Sequence, residues 1–278
     1  MKKYFIVMVT VCFLSGCEAN EITLDQLSNE QHQTENISPI LLNSLAKSIN
    51  KPIEKIEMED YLTVEALELN VADFPLEQKH VEIDLSGISR MKNLKTLSLN
   101  KVNAKDYQFL NGLNELENLS IIGFTAAKLP SLSNNNLISL SLCEGDLSDL
   151  SILNDNTSLQ YLSVSNNKFK DLSSTRSLST LTVLDISNNP LGSIEFIREL
   201  PHLERLQVKD TPITDITAVQ YLSKLSYLDI RGTKVTSIYP LKSLEKLSIL
   251  LVNKKNISDL NLLNKEVKIA ENGYEIND

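Results

Sequence analysis

Residues that could carry acid–base, nucleophilic or metal chemistry are few in this sequence and lie far apart. The 278-residue chain contains three histidines and three cysteines: His32, His80, His202, Cys12, Cys17 and Cys143. No histidine lies beside a second candidate catalytic group, and the cysteines lack the paired spacing of a zinc site or a disulfide framework. Glycine-rich phosphate loops are absent. The sequence therefore predicts a non-catalytic protein that holds no metal and no dissociable cofactor.

Composition narrows the class of partner. The chain has 27 basic and 36 acidic residues, a net charge of -9, and the two signs are interspersed along it. Such a surface is a poor match for nucleic acid. With 42% hydrophobic residues the chain can bury a sizeable core, and its length alone would suggest about two domains.

The first seventeen residues have the pattern of an export signal. Lys2 and Lys3 precede an apolar run from residue 4 to residue 14, which is too short to span a bilayer. The following Leu14-Ser15-Gly16-Cys17 resembles the lipobox of bacterial lipoproteins. That resemblance implies cleavage of residues 1–16 and covalent lipid on Cys17, which would hold the chain at a membrane. The alternative is an ordinary secreted protein in which Cys17 is accidental.

Cleavage would also define the segment that follows the anchor. It removes two lysines, so the net charge becomes -11, and it leaves residues 17–36 as a polar, aperiodic stretch that predicts a flexible tether. Glu18 is not the aspartate that retains lipoproteins at the inner membrane of enteric bacteria. The resemblance thus implies the outer membrane in a Gram-negative source, facing the periplasm or the surface, and otherwise the outer face of the plasma membrane.

An internal repeat dominates the rest of the chain. The frame Leu-x-x-Leu-x-(Leu/Ile/Val) recurs eight times, at steps of 22 residues with a single step of 21. Its leading residues are Leu94, Leu116, Leu137, Leu159, Leu181, Leu203, Leu225 and Leu247. Apolar residues at i and i+2 share one face of a strand, and one unit cannot bury its apolar rows alone. The sequence predicts an α/β repeat solenoid with a curved parallel sheet on the concave face and short 3₁₀ or irregular segments on the convex side.

The units resemble leucine-rich repeats of the 22-residue internalin type, as in Ile213-Thr-Asp-Ile216. The asparagine of that family, whose side chain binds the turn backbone, is matched by Asn167 and Asn189. Other residues occupy the equivalent positions: Val102, Phe124, Gly145, Thr211, Thr233 and Lys255. We therefore expect the first three repeats to be less regular than the others.

The ends of the stack need caps. Ser38 and Pro39 are expected to begin a helix that Asn50-Lys51-Pro52 ends, followed by a helical turn at residues 58–62 and a cap strand at residues 66–69. Residues 71–81 are an expected inserted loop, because the step from Leu69 to Leu99 is 30 residues. This division gives an N-terminal cap at 37–93, repeats at 94–260 and a C-terminal cap and tail at 261–278. One elongated unit replaces the two domains suggested by length.

Side chains between the inward leucines must face out of the concave sheet. The later repeats are expected to bring together Tyr161, Asp185, Arg205, Lys209, Tyr227, Asp229, Arg231, Ile249 and Leu251. Tyrosine and arginine are typical of protein-binding hot spots, so this set is a candidate protein-binding site. The alternative is that the Arg and Asp side chains pair with one another as a solvated surface ladder. Cys143 also falls at an outward position, where a tolerated small residue is the simpler interpretation.

Together these patterns predict a monomeric, membrane-anchored lipoprotein whose solenoid binds another protein through its concave face. The partner could be a host molecule or another envelope protein, and fold alone does not distinguish them. A structural envelope component without a specific partner is the main alternative. A hydrolase that uses scattered carboxylates and serines is a further one.

Overall fold

The computed structural model describes residues 37–74, 81–125, 127, 129–132, 136–153, 156–173 and 178–271. The predicted signal peptide, Cys17 and the tether lie outside the described residues. So do residues 75–80 of the expected inserted loop and residues 272–278 of the expected tail.

Ten parallel strands form one sheet in which spatial order equals chain order. The strands are β1 (Ala66–Asn70), β2 (Thr96–Asn100), β3 (Asn118–Ile122), β4 (Ser139–Cys143), β5 (Tyr161–Ser163), β6 (Val183–Asp185), β7 (Arg205–Gln207), β8 (Tyr227–Asp229), β9 (Ile249–Leu251) and β10 (Lys268–Ala270). The predicted fold class is confirmed: a curved, open parallel sheet of stacked repeats with a small N-terminal helix.

The second leucine of each frame holds the stack in register. These leucines pair directly from strand to strand, as in Leu162↔Leu184 and Leu184↔Leu206, and those of the eight frames are at most 2% exposed. Burying one leucine side chain stabilises a fold by about 1.5 to 3 kcal/mol, but only if a neighbouring repeat covers it. Residues on either side of this leucine therefore face outward, and the sequence spacing sets which of them are neighbours.

The return segments are short 3₁₀ helices, as expected for about a dozen residues. Among the described residues, the 3₁₀ helices that follow the repeat strands are Gln108–Gly112, Ser151–Leu153, Glu195–Glu199, Thr217–Tyr221, Tyr239–Ser243, Lys254–Asn256 and Leu260–Leu262. The N-terminal part contains Ile53–Lys55, Met58–Thr63, Val71–Asp73 and Ser86–Arg90.

Asp and Ser residues lie two positions before the first residue of most of these helices. Each side chain accepts a hydrogen bond from the backbone N–H two residues ahead: Asp84, Asp106, Asp149, Asp171, Ser193, Asp215 and Ser237. This bond satisfies an N–H group at the start of the turn. The pKa values of Asp149 and Asp215 lie below the ordinary value, first because the hydroxyls of Ser151 and Thr217 bind the carboxylates and second because of the backbone bonds.

The N-terminal cap covers the first strand with a helix. Helix α1 spans Pro39–Ile49, buries Leu41 and Leu45, and ends at Asn50 in the left-handed conformation. Ser38 occupies the N-cap position, but its side chain makes no capping hydrogen bond. Leu69 pairs with Leu99 on the next strand, so the 30-residue step lies between β1 and β2. The first residues of the expected inserted loop form the 3₁₀ helix Val71–Asp73.

A left-handed turn residue follows strands β2 to β8. Its φ lies between 55° and 74° at Lys101, Gly123, Glu144, Asn166, Asn188, Asp210 and Gly232. Glycine, asparagine and aspartate tolerate this conformation, whereas other residues adopt it at a cost of about 1 to 2 kcal/mol. At the two unfavourable residues, the Lys101 Nζ and a Glu144 carboxylate oxygen pair at 3.0 Å, so an ion pair links these turns across two repeats.

The family asparagines bind the turn as the resemblance implies. The Asn167 amide donates to the carbonyls of Leu142 and Val164 at 2.8 and 3.0 Å, and its oxygen accepts from the Leu147 N–H at 3.1 Å. Asn189 repeats this pattern one step later. Thr211 and Thr233 each make only the bond to the carbonyl three residues back. A threonine therefore closes its own turn, while an asparagine also joins adjacent repeats.

The first three repeats are not less regular in the sheet. Strands β2 to β4 have five residues each, whereas β5 to β9 have three. In the repeats of β5 to β8 the Asn or Thr side chain binds the carbonyl of the last frame residue, so the turn begins there. In the repeats of β2 to β4, where no such side chain is present, strand pairing continues for two more residue pairs.

Phe124 and Gly145 compensate for one another at two positions that lack the asparagine. A Cβ atom on Gly145 would lie 2.5 Å from Phe124 Cζ and 2.9 Å from Asn167 Oδ1. The absence of a side chain at Gly145 therefore makes room for the phenylalanine ring, which is buried.

Substituting Gly145→Ala tests this compensation. The added methyl group overlaps the Phe124 ring, so we expect the free energy of unfolding to fall by about 1 to 3 kcal/mol. The measurement is the urea unfolding curve followed by circular dichroism. In the double variant Phe124→Leu/Gly145→Ala the loss caused by the alanine should be smaller.

Gly192→Ala is the matched control, because a Cβ there meets nothing within 4 Å. Its unfolding free energy should be unchanged or raised by up to about 1 kcal/mol. Equal curves for the two alanine variants would contradict the packing account.

Candidate binding surface

The predicted site residues lie on two outward columns of the concave face and in the turns that follow. The first column runs Tyr161, Val183, Arg205, Tyr227 and Ile249, each paired with the next across adjacent strands. Strand spacing is about 4.8 Å, so Tyr161 and Arg205 flank the small side chain of Val183 about two strand spacings apart.

Arg231 and Asp229 neutralise one another. The Arg231 Nε and Nη2 atoms bind the two oxygens of the Asp229 carboxylate at 2.9 and 2.5 Å, and Asp229 is 1% exposed. The bound carboxylate also raises the pKa of the Arg231 guanidinium, chiefly through these hydrogen bonds. This bidentate pair joins Asp229, the last residue of β8, to Arg231 in the turn that follows. The Arg and Asp side chains therefore pair with one another, as the alternative interpretation expected, but within one repeat rather than between adjacent strands.

Three other predicted residues contribute less than the sequence suggested. Leu251 is on an outward column but is 1% exposed, beside the C-terminal strand with which it pairs through Ala270. It therefore does not offer apolar surface, and Asp229 likewise does not offer a free carboxylate. The Lys209 ammonium pairs with Asp210 at 3.3 Å in the turn after β7. Ile249 is half-buried.

Arg205 is stacked on Tyr227. Its guanidinium carbon lies 4.1 Å from the centre of the Tyr227 ring, the geometry of a cation–π contact. Among the described residues the Arg205 guanidinium forms no ion pair and donates no hydrogen bond. The pKa of the Tyr227 hydroxyl lies above its ordinary value, first because of partial burial and then because of the Asp229 charge.

Asp185 is held by hydrogen bonds rather than by a cation. Its carboxylate accepts from the Ser187 N–H at 3.0 Å and from the Ser163 hydroxyl at 3.3 Å. It forms no ion pair with any residue that the structure describes. Tyr161, at the far side of Val183, is 37% exposed. Asp185, Arg205 and the two tyrosines are thus the predicted site residues that remain available to a ligand.

Cys143 is not simply an outward small residue. It is 8% exposed, and its sulfur lies 3.2 to 3.3 Å from the hydroxyl oxygens of Ser141, Ser163 and Ser165. The thiol fills the space between neighbouring serines of the concave face. Sequence reasoning missed this cluster, although the recurrence of serine in the outward columns was the signal that could have indicated it.

Strands β2 to β5 present no charged side chain on the concave face. Their outward residues are Thr96, Ser98, Asn100, Asn118, Ser120, Ile122, Ser139, Ser141, Cys143, Tyr161 and Ser163. The two halves of the face therefore differ in chemistry, with small neutral groups before Tyr161 and charged or aromatic groups after it.

The part of the chain that the structure describes contains no group of three or more His, Cys, Asp or Glu side chains arranged to hold a metal ion. None of its helices is long and apolar enough to cross a membrane. His202 lies with its Nδ1 atom 3.0 Å from the Lys224 ammonium.

Comparison with known proteins agrees with this geometry. Residues 157–199 and 179–221 match the family described as Leucine Rich repeats (2 copies). The fold is that of a leucine-rich-repeat solenoid. Internalin C2 of Listeria monocytogenes has a similar structure, with a TM-score of 0.66 and 22% identity over 77% of this chain and 93% of that chain.

A second solved structure shares the leucine-rich-repeat architecture. The functional domain of InlJ from Listeria monocytogenes, which includes a cysteine ladder, has a TM-score of 0.53 and 19% identity over 75% of this chain and 53% of that one. No curated protein sequence matches the chain significantly. At these identities the likeness shows the solenoid fold alone.

The Arg231–Asp229 pair supports the solenoid rather than a ligand, and Arg231→Ala tests this role. Removing one partner of a fully buried ion pair costs about 3 to 5 kcal/mol, and since Arg231 is 21% exposed we expect a loss of about 2 to 3 kcal/mol in unfolding free energy. The measurement is urea unfolding, with Asp229→Ala and the double variant completing a double-mutant cycle.

Lys209→Ala is the control for this cycle. It breaks a pair whose side chains are 43% and 44% exposed, so its unfolding free energy should change by less than about 1 kcal/mol. If Arg231→Ala lowered the unfolding free energy no more than Lys209→Ala does, the buried Asp229 carboxylate would not depend on Arg231.

Proposed function

We propose that this solenoid binds another protein, without catalysis, through the concave face of strands β5 to β8. The observation that carries the proposal is the set of available groups at Tyr161, Asp185, Arg205 and Tyr227, on a surface where neighbouring charges are already paired.

The chemistry of these groups suits a protein ligand. Tyrosine and arginine dominate interface hot spots because they combine a large apolar area with directional polar groups. Stacking on Tyr227 restrains the Arg205 side chain before binding, so less conformational entropy is lost when a partner docks. The parallel sheet beneath is fixed by its leucine ladder, which makes the surface rigid.

The proposed setting is the bacterial cell envelope, with lipid on Cys17 as the anchor and residues 17–36 as the tether. The support is the sequence pattern of a basic start, an eleven-residue apolar run and Leu14-Ser15-Gly16-Cys17. Two or more acyl chains hold a protein firmly at a membrane, whereas a single chain holds it only marginally. We place the chain at the outer membrane in a Gram-negative source and otherwise at the outer face of the plasma membrane, as a monomer.

Substituting Cys17→Ala tests the anchor. The variant should incorporate no radiolabelled palmitate and should leave the membrane fraction, because the thiol that accepts the lipid is gone. Cys143→Ala is the matched control and should keep both properties. Labelled, membrane-bound Cys17→Ala protein would contradict lipidation at this position.

Substituting Tyr161 and Tyr227 together to Ala tests the binding surface. Each hot-spot residue contributes about 2 kcal/mol or more, so partner affinity should fall at least tenfold while the circular dichroism spectrum stays unchanged. The measurement is saturable capture of envelope and host-surface proteins by the purified chain, with titration of the captured species.

Tyr221 and Tyr239 provide the matched control, because they are exposed tyrosines in the 3₁₀ helices of the return segments. Their double alanine variant should keep full affinity. Loss of capture in this control but not in the concave variant would move the site to the convex side. Absence of any saturable ligand would favour the structural envelope component, and protease protection in whole cells would favour an envelope partner over a host molecule.

A further inference from the structure

We propose that Arg205 receives a carboxylate side chain of the partner protein and is the charge-recognition element of the concave face. This inference rests on the proposed function, and it specifies which chemical group the partner presents and where.

A comparison within the chain carries the argument. Two arginines stack on tyrosines with nearly the same geometry: Arg205 lies 4.1 Å from the Tyr227 ring centre, and Arg198 lies 4.3 Å from the Tyr221 ring centre. Arg198 also forms an ion pair with Glu195 on its own 3₁₀ helix. Arg205 has no counterpart to Glu195 among the residues that the structure describes. Of these two stacked arginines, Arg205 is therefore the one that can still pair with a carboxylate from outside the chain.

The stacked guanidinium keeps donors for a bidentate contact. Its carbon lies over the Tyr227 ring, 4.1 Å from the ring centre, so the N–H edge that points away from the ring remains for hydrogen bonds. A carboxylate matches two N–H donors of that edge at once. Val183, the neighbour of Arg205 on the other side, is small and leaves space toward Tyr161 for the chain that carries the carboxylate.

Asp185 does not neutralise Arg205. Asp185 lies on the neighbouring strand, two residues beyond the partner of Arg205. With a strand spacing of about 4.8 Å and a rise of about 6.6 Å over two residues, the two Cα atoms are about 8 Å apart. The Asp185 oxygens are already hydrogen-bonded to Ser187 and Ser163.

The low arginine content makes the test direct. The chain has five arginines: Arg90, Arg176, Arg198, Arg205 and Arg231. Labelling with ¹⁵N-arginine therefore gives five Nε signals, each assigned by an Arg→Lys variant. The purified chain is titrated with acetyl-Gly-Glu-Gly-amide, with acetyl-Gly-Gln-Gly-amide and with inorganic phosphate.

We expect the Arg205 signal to shift saturably with the glutamyl peptide, while the carboxylate-paired Arg198 and Arg231 signals move little. The glutaminyl peptide should bind about three- to fivefold more weakly, the range of an exposed charge pair. A shift at Arg205 no larger than at Arg198 would overturn the proposal. Tighter saturation by phosphate than by the glutamyl peptide would also overturn it, because the site would then select a different class of anion.

The two proposals fail separately. If capture of the partner depends on Tyr161 and Tyr227 but the Arg205 signal does not shift with the glutamyl peptide, the proposed binding surface is supported and the carboxylate proposal is wrong. If the signal responds but capture does not depend on the concave tyrosines, the proposed binding surface is wrong.

Discussion

A 22-residue repeat cannot bury its own apolar residues, and this constraint determines the rest of the molecule. The leucines of one strand are covered only when the next repeat lies beside it in register, as in the ladder from Leu97 to Leu250. Register in turn fixes which outward side chains are neighbours. The concave surface is therefore a direct consequence of core packing, although none of its residues belongs to the leucine ladder.

The elements that follow from apolar spacing were predictable from the sequence. The eight leucine frames mark β2 to β9, and the helical spacing of Leu41 and Leu45 marks α1. The asparagine bonds at Asn167 and Asn189 were likewise expected from the family resemblance. The packing of Phe124 against Gly145 was not expected, because in the sequence each residue is only a position that lacks the asparagine. The structure shows that the missing side chain at Gly145 makes room for the Phe124 ring.

The state of each charge on the surface was not predictable in the same way. Spacing places Asp229, Arg231, Asp185 and Arg205 on one face, but several pairings among them have similar energies. Arg231, in the turn after β8, pairs within its own repeat through its Nε and Nη2 atoms, which both reach Asp229. Asp185 is held by hydrogen bonds from Ser187 and Ser163. Arg205 stacks on Tyr227 instead of crossing to Asp185. Rotamers and local hydrogen bonds, which the repeat does not specify, decide these outcomes.

This division separates residues that stabilise the solenoid from residues left to bind. Asp229, Arg231 and Leu251 belong to the first group, while Tyr161, Asp185, Arg205 and Tyr227 belong to the second. An acidic chain with a restrained arginine on its concave face, left without an ion pair by the residues that the structure describes, can orient a partner by charge as well as by shape. Complementary charges mainly improve specificity and association rate.

The most direct measurement of the binding account is site-specific photocrosslinking in the cells that produce the protein. A benzoylphenylalanine replaces Tyr161 on the concave face or Tyr221 in the return segments, since both side chains are exposed. We expect a discrete adduct with another protein from position 161 and none from position 221. An adduct from position 221 alone, or none from either position, would contradict the claim that the concave face of β5 to β8 is the binding surface.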